Sequence, residues 1–169
     1  MACQLPEGAL LQRHRADGAF TDCFASIIPR AVTIGEYVAA FYTTPVFRLE
    51  RLILEWALSR PSTDAEAQQL AGGSIDTFSA WSVESRRDDQ LLMADMQGRT
   101  RSWLMVAPLR QSGSPATRLY FGSAVIPVLD RQTGERVLSP GFRALLGFHR
   151  VYSEVLLYSA RVRLGAPLS

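Results

Sequence analysis

His149 and Tyr152 stand three residues apart within PGFRALLGFHRVYSEVLLYSARVRL, residues 140–164. In a helix that spacing puts an imidazole and a phenol one turn apart on the same face. Imidazole titrates near neutrality, so the pair could act as acid and base or as polar contacts to a ligand. The plainer reading is a core histidine bonded to backbone and a packed tyrosine whose hydroxyl finds a partner. Arg101 is the second candidate. Beside Trp103 and Met105 on one strand face, its guanidinium could grip a carboxylate in bidentate fashion. Its plainer reading is an ion pair at a sheet edge. His14, flanked by Arg13 and Arg15, reads as surface.

Other chemistry is not signalled. The sequence has no glycine-rich phosphate loop, no serine elbow and no His/Cys/Asp/Glu cluster at metal spacing. Neither a metal nor a cofactor is expected. The two cysteines, Cys3 and Cys23, lack ligand spacing, and so few suggest no disulfide framework; a reducing cytoplasm is the default expectation. Net charge is +2, with every basic side chain an arginine and no run longer than a pair, which argues against a nucleic-acid partner. No apolar run reaches the roughly 18 residues of a membrane span, and the N-terminus lacks the pattern of a signal peptide.

The elements that must position these residues follow from periodicity and punctuation. At 169 residues, 47% of them hydrophobic, the chain suits one domain with its own core. Residues 1–17 read as an N-terminal arm, and 18–166 as a single domain. Ala19 to Ile28 reads as a strand stopped by Pro29. Thr33 with Glu36, and Thr63 with Glu66, are capping-box pairs opening two helices. Between them a further helix is expected from Pro45 to Ala57. From Ile75 four strands separated by tight turns predict an antiparallel meander, and a polar link ending at Ser139–Pro140 leads into the long last helix. Its apolar stripe runs through Phe142, Leu145, His149, Tyr152 and Leu156. Phe148, Val151, Val155, Tyr158 and Val162 make a second stripe on the opposite side.

Strands segregated from helices define an α+β class. Pairing Ser85 with Gln90, and Met96 with Arg99, would put Trp81, Val83, Leu92, Ala94, Arg101, Trp103, Met105 and Tyr120 on one face. Glu84, Leu91, Met93, Asp95, Ser102, Leu104 and Val106 would take the other. Neither set is polar throughout, so both faces should be covered, one of them by another element or a partner chain.

This order of elements resembles the helix-grip layout of START-like proteins, the superfamily that includes polyketide cyclases and aromatic-ring hydroxylase subunits. More narrowly it is similar to an uncharacterised bacterial family of that group. The stretches that carry the likeness are TDCFASIIP (21–29), IGEYVAAFYTTPVFRLERLIL (34–54), WSVESRRDDQLLMAD (81–95) and GFHRVYSEVLL (147–157). The resemblance implies a curved antiparallel sheet wrapped on the C-terminal helix, a helix pair after the first strand, and a cavity for an apolar or amphipathic small molecule. On the face assignment above, Trp81, Trp103, Met105, Tyr120, Phe142 and Leu145 would wall it, with His149, Tyr152 and Arg101 as polar contacts. Two alternatives stay open. One is a cyclase- or hydrolase-type enzyme using His149 and Tyr152; the other is a homodimeric interaction module without a ligand.

Overall fold

A computed structural model of the chain describes residues 1–47, 62–111, 113–129, 136–137 and 140–165; the side chains of 111, 128–129, 136–137 and 140–150 fall outside that description. The elements are α1 (Gln12–Ala16), β1 (Phe20–Ile28), α2 (Ile34–Tyr42), α3 (Asp64–Ala71), β2 (Thr77–Phe78), β3 (Trp81–Arg87), β4 (Gln90–Asp95), β5 (Thr100–Gln111), β6 (Ser114–Val125), β7 (Val128–Leu129), β8 (Arg136–Val137) and α4 (Pro140–Gly165). Both capping boxes form. Thr33 accepts from the Glu36 N–H while Glu36 reaches back to the Thr33 N–H, and Thr63 with Glu66 repeats the exchange. The backbone is helical again at 45–47, but the rest of the helix expected up to Ala57 lies outside the described residues, as does the Ser139 cap.

Six strands form one antiparallel sheet in the order β1-β6-β5-β4-β3-β2, with β7 and β8 as a separate pair. The class is α+β, with a C-terminal helix laid across the sheet. The meander follows from its turns. Gly98 and Gly113 take positive φ in the β4–β5 and β5–β6 connections, a conformation that favours glycine. The expected strand from Ile75 to Ser85 is in fact two, because the chain turns back at Ser79, whose φ is 54°. β1 returns to the far side of the meander and pairs along its whole length with β6, Phe20 opposite Val125 and Ile28 opposite Thr117.

Both faces of the sheet are buried. On one, Phe24, Ile28, Leu91, Met93, Leu104, Leu119 and Phe121 pack against the aromatics of α2, the Leu70 side of α3, and Leu156, Leu157, Ala160 and Leu164 of α4. On the other, Cys23, Leu92, Trp103, Tyr120 and Ala124 lie under Ala9, Leu10 and Leu11, with Leu5 beside them. The cover expected for the second face is thus the chain's own first seventeen residues. Gly122 makes this approach feasible. A Cβ there would stand 2.8 Å from the Asp22 carbonyl oxygen, 3.0 Å from the Trp103 ring and 3.1 Å from Leu11, so only a residue without one lets those two side chains meet over β6.

The β4–β5 register, Leu92 opposite Trp103 and Ala94 opposite Arg101, agrees with the sequence reading. β3 departs from it. Arg87 pairs with Gln90, and a register shift between Val83 and Ser85 inserts an extra residue. A bulge of this kind exchanges the faces beyond it. Trp81 and Val83 therefore pack with the helix-side core, and Glu84 turns toward Arg101 on the other side.

Candidate functional site

Between the helix-side face of the sheet and α4 lies a cavity of about 190 Å³. Phe41 and Phe47 wall it from the first helices, Trp81 and Phe121 from the sheet, and Leu156 and Tyr152 from α4. Thr100 and Ser102 of β5 and Ser123 of β6 add polar groups to the lining, as do Arg101 and Tyr152, and Ser123 donates its N–H and its hydroxyl to one oxygen of Asp22, at 2.8 and 2.7 Å. A chamber walled mostly by aromatics with a few polar groups suits a small, mostly apolar molecule carrying one polar substituent.

The expected site residues do not converge. Trp81 and Tyr152 line the cavity. Arg101 touches its rim, but its guanidinium is committed to Glu84 and to the Gly98 carbonyl at 2.8 Å. Trp103, Met105 and Tyr120 share a face with Leu92, as the register predicted, but that face lies beneath the N-terminal segment and not on the cavity. Trp103 is fully buried there, and its indole N–H donates to Gln90 Oε1 at 2.9 Å. The β3 bulge moves Trp81 to the face opposite Trp103, and α1 with the residues before it supplies the cover over Trp103. The side chains of Phe142, Leu145 and His149 lie outside the described residues. Phe41, Phe47, Phe121, Ser102, Ser123 and Leu156 were not among the expected lining. The alternation of Phe121 with Tyr120 along β6 is the signal that could have found one of them.

The second face carries a charged network. Glu84 accepts from Arg13, from Arg101 and, at 2.8 Å, shares a hydrogen bond with His14 Nε2. Burial works against ionising Glu84, but His14, Arg101 and Arg13 together hold its carboxyl below the usual range. His14 is consequently buried against the sheet, where the sequence suggested surface. Next to this network Gln90 bridges two layers: its Oε1 accepts from Leu10 N–H and from Trp103, and its amide donates to the Gly8 carbonyl.

A larger, open groove of about 1070 Å³ runs along the outer edge of β1. Met1 to Pro6 form one bank, and Val151, Glu154, Val155, Tyr158 and Arg161 of α4 form the other. Met1 to Cys3 hold to β1 as a short extra strand: Ala2 bridges Phe24, Cys3 N–H donates to the Cys23 carbonyl at 2.8 Å, and Ala25 N–H donates to the Met1 carbonyl at 2.9 Å. That strand brings Cys3 and Cys23 together, with their sulfurs 3.0 Å apart. Their spacing in sequence carried no hint of it.

Among the described residues no group of acidic, His and Cys side chains is placed to hold a metal, and no helix is long and apolar enough to cross a membrane. No family model matches the chain, and no curated protein matches it. A solved structure of an uncharacterised protein from Rhizobium leguminosarum superposes with a TM-score of 0.33 at 9% identity, over 87% of this chain and 96% of that one.

Proposed function

We propose that the chain is a START-like helix-grip domain holding a small apolar or amphipathic molecule, of single-ring size, between its sheet and its C-terminal helix. The observation that carries this reading is the aromatic-walled cavity of about 190 Å³ with a few polar groups in its lining. A cavity of roughly 150 Å³ lined by apolar side chains suffices for benzene, whereas drug-sized ligands occupy about 300–1,000 Å³. A monocyclic aromatic with one hydroxyl or carbonyl fits the volume, and a sterol or long acyl chain does not. The strand order supports the fold half of the proposal, because β1 beside β6 and α4 on the same face is the arrangement a helix-grip domain requires.

The test is ligand-observed NMR on the full chain with phenol and p-cresol as probes, beside the variant Ser102→Phe, whose ring would fill the chamber. Saturation transfer to the wild type, lost in a folded Ser102→Phe, is the expected result. Absence of transfer to the wild type, or equal transfer to both proteins, overturns the proposal.

A second reading is favoured by a different feature. Val151, Val155, Tyr158 and Val162 are exposed, at 63, 41, 63 and 52%. Their spacing of four, three and four residues is that of an a/d seam between packed helices, which suits self-association through α4. Sedimentation equilibrium of the wild type and of Tyr158→Glu decides it: a dimer dissociated by the substitution supports this reading, and a monomeric wild type removes it.

A further inference from the structure

The geometry points to Cys3 and Cys23 as a disulfide-forming site, oxidised by thiol–disulfide exchange with a small-molecule disulfide, that staples the first strand-like residues to the edge of β1. The two are the only cysteines in the sequence, twenty residues apart, yet their sulfurs lie 3.0 Å from one another. The backbone sets this contact. Ala2 bridges Phe24, which makes Cys3 and Cys23 directly opposite antiparallel residues, joined by the Cys3 N–H to Cys23 carbonyl bond. Hydrogen-bonded antiparallel partners have Cα atoms about 5.5 Å apart, inside the roughly 4.4–6.8 Å range that a disulfide spans. The sulfurs need to close by about 1 Å to reach the disulfide length of about 2.05 Å.

The two thiols have unequal access, and this sets the order of events. Cys3 is exposed, and Cys23 is buried. Burial, reinforced by Cys3 and Asp22, also pushes the Cys23 thiol far above its usual range. The Cys3 thiolate therefore reacts first. It attacks a small disulfide, RSSR, to give a mixed disulfide and one RS⁻. Cys23 then gives up its proton to solvent, and its thiolate displaces the second RS⁻ from Cys3. Two protein S–H bonds and one S–S bond of the small molecule become one protein S–S bond and two small thiols, so protons and electrons balance. Reaction of Cys23 is the slow step, and its rate rises with pH as more thiolate forms. The closed loop of about twenty residues contains α1 and the Leu10–Leu11 cover of the second sheet face, so oxidation fixes that cover and the Met1–Pro6 bank of the groove together.

The experiment incubates the full-length protein with oxidised glutathione at pH 8, followed by thiol titration, non-reducing peptide mapping and trypsin cleavage at Arg13 and Arg15. The expected product is a monomer with no titratable thiol, an internal Cys3–Cys23 peptide link, and cleavage slowed roughly tenfold or more relative to the reduced form. Cys3→Ser should leave Cys23 unmodified on the same timescale. A stable glutathione adduct at Cys3 with Cys23 still a thiol, a Cys3–Cys3 dimer, or two thiols left untouched would each overturn the assignment. Cleavage at an unchanged rate in the linked protein would overturn the stapling.

Discussion

Leu11→Ala tests whether the N-terminal segment belongs to the cooperative fold. Leu11 is fully buried, wedged over Gly122 against the Trp103 ring on the sheet's second face. Truncation to alanine removes three carbons, each worth about 0.8 kcal/mol on burial, or about 2.4 kcal/mol of transfer free energy. The floor of the resulting hole is β-sheet backbone and an indole pinned by Gln90, neither of which can sink to fill it. The cavity term should therefore be retained, bringing the total to about 3–4 kcal/mol, within the range of about 2–5 kcal/mol for buried leucines. Urea unfolding followed by far-UV circular dichroism measures it as a lower midpoint at unchanged slope. A loss under about 1 kcal/mol would refute the reasoning, since it would mean that residues 1–17 detach without disturbing the sheet.

Two further outcomes are expected on the same face. Glu84→Gln should destabilise the protein at pH 7. Because the folded-state carboxyl is held below its ordinary value, its contribution is present above the unfolded-state value and is lost as pH falls through the folded one. Wild type and variant should accordingly converge in urea midpoints measured toward pH 3, and a gap that stays constant from pH 7 to 3 would contradict this. Gln90→Leu leaves the buried Leu10 N–H and the Trp103 indole N–H without an acceptor. At about 1–3 kcal/mol for each orphaned donor, a loss of about 3 kcal/mol is expected by urea unfolding; a neutral substitution would show that water replaces the amide.

What could be read from the residues alone was local. Both capping boxes, the glycine turns and the Leu92–Trp103 register arise from interactions a few residues long, and each appears in the folded chain. The features that escaped depend on distant partners. Nothing in WSVESRR marks an extra residue, because a bulge is a mismatch in count between two strands, and neither strand records it alone. That one residue sent Trp81 to the cavity and left Trp103 beneath the N-terminal segment. His14 looked like surface because its partner, Glu84, lies seventy residues away. The apolar run Ala9–Leu10–Leu11 was the available clue to the second cover, joined to a meander with no wet face. Asp22 accepts from Ser123, on a strand a hundred residues later, a partner that no local pattern around Asp22 marks.

The pairing of β1 with β6 has a consequence for how the chain is made. A nascent chain that has just finished β1 holds Phe24 and Ile28 ready for the core, yet their partner strand ends only at Val125 and the α4 residues that cover them come later still. In the folded chain β6 takes one edge of β1 and Met1 to Cys3 hold to the other. Long-range closure of this kind slows folding and lengthens the interval in which an unpaired strand can find the wrong neighbour. The edge of β1 that pairs with β6 therefore waits for the end of the meander.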